Sequence, residues 1–148
     1  MPKPLRFLSP IHKASREVGV HFERLMGDSG LAPQEGHILS YLRSYAPCPI
    51  AEVIAVFGLR GSTATSVLDR LEERGLLARR PNPDDRRSFL LDLTPEGKRI
   101  AETVQTFVDR LERAIARKIT AKEEEGFRAV MSAIHEATNV TLVERKKR

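Results

Sequence analysis

The stretch from Gly58 to Thr94, GLRGSTATSVLDRLEERGLLARRPNPDDRRSFLLDLT, can fold in few ways. Ala64, Val67, Leu68 and Leu71 recur at the spacing of one helix face, while Ser62, Thr63, Thr65, Ser66, Asp69 and Arg70 take the other. The helix therefore buries one side and exposes short hydrogen-bonding side chains on the other. Gly75 ends it, because only glycine enters the left-handed C-terminal conformation without steric cost, and Leu76 and Leu77 open a strand. Phe89, Leu91 and Leu93 alternate with Ser88, Leu90 and Asp92, which turns the first three inward on a second strand. Pro81-Asn82-Pro83-Asp84-Asp85 supplies the turn, and Arg86 and Arg87 stand at the tip. A small polar helix face beside an arginine-tipped ribbon fits a major groove and the adjacent minor groove together. The stretch reads as a DNA-reading unit, with double-stranded DNA as the expected partner.

At 148 residues the chain is one domain's worth, with nothing in its composition to indicate repeats or disorder. Lys and Arg number 25 against 20 Asp and Glu, a formal charge of +5 that favours a polyanionic partner. The placement of the charge says more. Arg60, Arg70, Arg74, Arg79, Arg80, Arg86 and Arg87 crowd into the opening stretch, whereas Glu123, Glu124 and Glu125 lie outside it. The single cysteine, Cys48, cannot close an intramolecular disulfide, and its default role is that of a small buried hydrophobe. No apolar run approaches the ~18 residues of a membrane span, so the cytoplasm is the expected compartment and no membrane is a partner. His12, His21, His37 and His135 are dispersed without metal-ligand spacing, and no cofactor is called for. Neither a nucleophile with its base nor a phosphate-binding glycine loop is present, which argues against an enzyme.

In chain order, Leu5, Leu8, Ile11, Val18, Phe22, Leu25 and Met26 mark one face of a long first helix closed by Gly27-Asp28-Ser29-Gly30. A second helix begins at Pro33, with Glu35 near its positive end and Ile38, Leu39 and Leu42 buried, although Ala32 is a poor N-cap. Tyr45-Ala46-Pro47-Cys48-Pro49 breaks the pattern before a short third helix carrying Ile50, Val53, Ile54 and Phe57. Gly58-Leu59-Arg60-Gly61 then gives helix-turn-helix spacing. After the hairpin, Thr94-Pro95-Glu96 starts a long fifth helix running through Ile100, Val104, Phe107, Val108, Leu111, Ile115 and Ile119. Thr120-Ala121-Lys122-Glu123 fits a capping box, and Phe127, Val130, Met131, Ile134 and Thr138 give a sixth helix its inner side. The terminal helices carry apolar stripes that a small winged domain does not cover alone, so the expected assembly is a two-fold homodimer. Arg145-Lys146-Lys147-Arg148 reads as a solvated tail rather than a DNA arm.

Leu71-Glu72-Glu73-Arg74-Gly75-Leu76-Leu77, then Asn82-Pro83-Asp84-Asp85-Arg86-Arg87, then Leu93-Thr94-Pro95-Glu96-Gly97 resembles the signature of the MarR family of transcriptional regulators. The resemblance spans nearly the whole chain. It implies a mainly α fold with a small β-wing, in which residues 33–94 form the winged helix-turn-helix and residues 1–30 and 95–148 form dimerisation helices. It puts Ser62, Thr63, Thr65, Ser66 and Arg70 at the major groove, with Arg60 at the head of that helix and Arg86 and Arg87 at the minor groove. Asp85 matches the family's Asp-x-Arg wing element and is placed to orient Arg87. An effector pocket for a small molecule is implied between the dimerisation region and the winged domain, with Arg16, His37 and Tyr41 as its polar candidates. Family members that sense zinc through histidines on the fifth helix have no counterpart here, since residues 95–119 contain none. Those that sense peroxide use a cysteine near the start of the first helix, where this chain has none.

Serines and threonines at a helix start are commonly caps and solvated surface, and the neighbouring wing is what favours DNA contact. The rival reading is a winged-helix protein-interaction module that keeps the dimer without specific DNA binding. The expected function is that of a DNA-binding transcriptional regulator, acting as a homodimer on a pseudo-palindromic operator and modulated by a small-molecule effector; a repressor and an activator are equally compatible with the sequence.

Overall fold

Each break in the apolar periodicity becomes a helix end. The computed structural model describes residues 3–140, so the basic run at 145–148 lies outside the described residues. The order is α1 (Leu8–Met26), a 3-10 turn (Gly27–Ser29), α2 (Pro33–Tyr45), β1 (Cys48–Pro49), α3 (Ile50–Phe57), α4 (Gly61–Glu73), β2 (Leu77–Pro81), β3 (Phe89–Leu93), α5 (Pro95–Ala116) and α6 (Ala121–Thr138). The strands form one antiparallel sheet in the order β1-β3-β2, with Leu77 opposite Leu93, Arg79 opposite Leu91, and Cys48 on the other side of Leu91. Two-residue β1 has no period to detect in the sequence. It seats Cys48 in the core, fully buried as a small hydrophobe would be.

The core lies where α2, α4, the sheet and the first half of α5 meet, and Ile38, Leu39, Leu42, Leu68, Leu71 and Leu91 are all within about a percent of full burial. The apolar side of α4 is buried as its spacing requires, at Ala64, Val67, Leu68 and Leu71. The helix ends with Gly75 at φ 69°, and the Gly75 and Leu76 amides donate to the Glu72 and Leu71 carbonyls at 2.9 and 3.0 Å. That pair of bonds is a Schellman motif, which satisfies the last carbonyls of the helix. At α6 the expected capping box is present: Thr120 Oγ1 accepts from the Glu123 amide at 3.3 Å, and Glu123 Oε2 accepts from the Thr120 amide at 2.7 Å.

Three expectations shift. α1 starts at Leu8 rather than Leu5, since Pro10 lacks an amide hydrogen and crowds the preceding turn and is tolerated only within a helix's first turn, and Leu5 stays exposed. α5 stops at Ala116, short of Ile119, because Thr120 has to adopt an extended backbone to cap α6. Phe89 shares the inward face with Leu91 and Leu93 yet is 49% exposed, because the wing projects past the end of the core. The stripes of the terminal helices are only partly covered within the chain. In α1 just Phe22 and Met26 are buried, and in α6 nothing is.

The start of α5 is held against the end of α4. Thr94 Oγ1 donates to the Gly75 carbonyl at 2.6 Å and accepts from the Gly97 amide at 3.0 Å, while the Thr94 amide donates to the Leu76 carbonyl at 3.2 Å. A β-carbon on residue 97 would lie 1.9 Å from that Leu76 oxygen, whereas one on Gly36 would meet Val104 at an ordinary 3.7 Å. Alanine normally stabilises a helix over glycine by about 0.5–1 kcal/mol. Gly36→Ala is expected to follow that rule, whereas Gly97→Ala should lose about 1–3 kcal/mol through forced backbone movement. Urea denaturation of the two variants checks the opposite signs.

Candidate nucleic-acid interface

Gly58, at φ 59°, turns the chain out of α3 so that α3 and α4 meet at 116°. Arg60, in extended conformation, leads into α4, and its carbonyl accepts from the Ala64 amide at 2.9 Å. Its side chain is exposed. Ser62, Thr63 and Ser66 share the exposed side of α4 and make no side-chain hydrogen bond among the described residues. Thr65 is exposed too, but its hydroxyl donates to the Gly61 carbonyl at 3.0 Å, so outward it offers lone pairs and a methyl group.

Arg70 behaves differently from its neighbours on that face. Its Nε donates to Glu35 Oε1 at 3.0 Å, which ties it to the first turn of α2. Arg74 donates to the Gly30 carbonyl at 3.2 Å and to the Ser29 carbonyl, and lies 3.8 Å from Glu35 Oε2. Arg79 bridges Asp69 and Glu72 at 2.6 and 2.5 Å, fastening β2 to α4. Arg80 pairs with Asp92 across the hairpin at 3.4 Å. Of the arginines in this unit, Arg60, Arg86 and Arg87 are the ones without a carboxylate partner among the described residues.

The wing tip is held rigid by its own polar groups. Asn82 Nδ2 donates to Ser88 Oγ at 3.0 Å, the Asp84 amide to Asn82 Oδ1 at 3.0 Å, and the Ser88 amide to the Asp85 carbonyl at 3.0 Å. Asp85 Oδ1 accepts from the Arg87 backbone amide at 2.9 Å, so Asp85 orients the peptide that carries Arg87 rather than its guanidinium. Arg86 and Arg87 project exposed from this loop.

The effector-pocket candidates do not share partners. Tyr41 donates to Glu52 Oε1 at 2.6 Å and packs against Tyr45 and Phe57 with centroids at 4.5 and 5.7 Å, joining α2 to α3. His37 stands edge-on to Phe22 of α1 at 5.6 Å. Arg16 lines a hollow of about 580 Å³ along α1 with Lys13, Glu17, Val20, His21 and Arg24. Among the described residues no group of three or more His, Cys, Asp or Glu could hold a metal ion. No single described helix is long and apolar enough to cross a membrane.

Sequence reasoning reads Glu35 as an acid in a helix's first turn and leaves its pairing unseen. Its arginine partner is 35 residues away, and such a contact leaves no periodic trace.

A helix-turn-helix whose second helix exposes a polar face, backed by a hairpin with exposed arginines, defines a winged helix-turn-helix protein. A sequence model described as MarR family matches residues 29–88. The HTH-type transcriptional regulator PecS of Dickeya dadantii is 30% identical over 137 residues, covering 89% of this chain and 81% of PecS. The HTH-type transcriptional repressor MdtR of Bacillus subtilis is 33% identical over 72 residues, 49% of this chain and 46% of MdtR. Among solved structures, S. aureus MepR in a DNA complex has a TM-score of 0.83 at 18% identity, over 90% of this chain and 99% of that one. A mutant E. coli MarR complexed with operator DNA has a TM-score of 0.75 at 24% identity, over 85% of this chain and 91% of that one. Both solved structures share the fold. The chain belongs to the MarR family of winged helix-turn-helix transcriptional regulators.

Desolvation where the His37 ring packs edge-on against Phe22 holds its imidazole pKa below the usual 6.5, because a drier surrounding disfavours the cation. The unfolded chain then binds the proton first as pH falls. The stability held above pH 6.5 is lost on acidification through that value and down to the lower folded pKa. Histidine NMR titration should give His37 a midpoint below 6.5, and His37→Gln should flatten this part of the stability profile.

Proposed function

We propose that the protein is a homodimeric repressor that binds a pseudo-palindromic operator and is released by a small-molecule effector. One observation carries the DNA reading: among seven arginines crowded between residues 60 and 87, those without a carboxylate partner among the described residues stand at the head of α4 and at the wing tip, before and after the α4 hydroxyls along the chain. Arg60 and the wing arginines Arg86 and Arg87 hold phosphates and a minor groove, while Ser62, Thr63, Thr65 and Ser66 face base edges in the major groove. Asp85 holds the wing peptide, and Arg70 lies at the edge of the major-groove face.

The dimer is supported by apolar side chains the chain does not cover itself. Phe7, Pro10, Ile11 and Val18 face Phe127, Val130 and Met131 across a groove of about 490 Å³, and Phe127 remains 62% exposed. The solved DNA complexes of MepR and MarR favour the same duplex partner, and repression is the sign that MdtR is named for. An effector that prefers a dimer with wrongly spaced α4 helices lowers DNA affinity by the ratio of its affinities for the two states. Arg16, His37 and Tyr41 are the side chains proposed to meet it.

The test is selection of bound fragments from the source genome, followed by titration across salt. The operator should be an inverted repeat with half-site centres about 10 base pairs apart. Arg87→Ala should weaken binding to the operator and to its single-base variants by one common factor and reduce the log-log salt slope by about one unit. Thr63→Ala should leave the slope alone and reduce discrimination against single-base variants by about 1–3 kcal/mol. Recovery of direct repeats alone would sink the two-fold reading. If Arg87→Ala changes neither affinity nor slope, the interaction module becomes the better account.

A further inference from the structure

Among the described residues Glu35 is the one charged side chain in the buried set, 4% exposed at the start of α2. Its two oxygens meet three groups, one at the start of α2 and two at the C-terminal end of α4. Oε2 accepts from the Ala32 amide at 3.0 Å, supplying the cap that alanine lacks. Oε1 accepts from Arg70 Nε at 3.0 Å, and Arg74 Nη1 lies 3.8 Å from Oε2. Arg74 continues to the carbonyls of Ser29 and Gly30, which close the 3-10 turn between α1 and α2.

Beneath these contacts the apolar sides of α2 and α4 share the core, and the polar contacts lie at its surface edge. An open hollow of about 550 Å³, lined by Gly30, Ala32, Glu35, Arg70, Glu73 and Arg74, lies at the surface between the C-terminal half of α4 and the turn before α2. Charge and directed hydrogen bonds span that gap. An apolar contact tolerates sliding, but a carboxylate held between two guanidinium groups and a backbone amide has a preferred geometry. A buried carboxylate also cannot give up its partners without leaving a charge unpaired. The C-terminal end of α4 is therefore held by a joint that resists rotation, added to the apolar contacts of Ala64, Val67, Leu68 and Leu71 along its inner face, while Ser62 and Thr63 at its head are exposed.

We propose that Glu35 is the positioning residue of the DNA-reading helix: through Arg70 and Arg74 it sets the angle of α4 to the α1–α2 body, and with it the separation of the two α4 helices in the dimer. The proposal rests on the dimeric-operator reading above. The leverage follows from length. α4 has 13 residues, roughly 20 Å at 1.5 Å per residue. A swing of about 10° at its anchored end moves its head by roughly 3.5 Å, close to the ~3.4 Å spacing of charges along one DNA strand. Small freedom at the joint thus becomes a whole step of operator register. This also gives Arg70 a role distinct from the serines and threonines beside it, since its Nε is committed to Glu35.

The test uses the full chain and a series of duplexes in which the half-sites are moved apart by single base pairs around the preferred spacing. Glu35→Gln keeps the shape and removes the charge. Arg74→Gln breaks the joint from the other side, at a residue not assigned to DNA. Wild type should favour one spacing by about tenfold or more over its neighbours, and each variant should flatten that preference to within about threefold while melting as a folded protein. The double variant should be no flatter than either single one, because both open the same joint. Should Glu35→Gln fail to fold, Arg74→Gln carries the measurement. Folded variants that keep the wild-type preference, or that lose affinity equally at every spacing, overturn the proposal alone. A wild-type protein indifferent to spacing overturns it together with the dimeric-operator reading.

Discussion

Three parts of the molecule meet at the carbonyl of Leu76. The Schellman turn ends α4 beside it, the first wing strand leaves from it, and the start of α5 presses on it so closely that only glycine fits at position 97. Thr94 completes the junction by bonding the Gly75 carbonyl and capping α5 with the same hydroxyl. The orientation of the wing relative to α4, and of the long α5 relative to both, depends on this contact. An apolar junction would permit several packings, whereas a backbone oxygen against a backbone without a β-carbon permits one.

The charged groups then divide into those that build the unit and those that it presents. Arg79 reaches from β2 to Asp69 and Glu72 on α4 at an exposure of only 21%, so it serves as a strut between wing and helix. Arg80 and Asp92 hold the two wing strands together. Exposed pairs of this kind contribute little stability individually, about 0–1 kcal/mol. Their effect is to fix where the unpaired cations lie. A count of basic residues overstates the surface charge that a polyanion meets.

Much of the fold was legible because it obeys local periods. The two faces of α4, the stop at Gly75, the Pro33 and Pro95 helix starts and the Thr120 to Glu123 capping box all depend on residues within four positions of one another. The alternation of β3 was legible too, yet it could not tell that Phe89 lies beyond the core while Leu91 and Leu93 lie over it. Burial along a strand depends on where the helices beneath it end. The serines and threonines of α4 and the wing arginines were readable as exposed groups, but the pairing of Arg70, Arg74 and Arg79 was not. Glu35 and Arg70 are far apart in the chain and adjacent in space, so neither carries a mark of the other. Short β1 was hidden for a different reason, since two residues, one of them a proline, have no pattern at all.

The wing tip places Asp84 and Asp85 directly before Arg86 and Arg87, so four consecutive residues sum to no net charge. Such a group is a dipole, and its field dies away faster than that of a lone cation. At physiological ionic strength, with a Debye length of about 8 Å, the tip exerts little pull on a duplex until it is almost in contact. The wing therefore does not attract nucleic acid from a distance. In the proposed complex its arginines act only once the loop is seated, where a loop already ordered by Asn82, Asp85 and Ser88 has little conformational freedom left to lose. A stiff, locally neutral probe responds to the width of the groove it enters more than to the overall charge of the molecule that carries it.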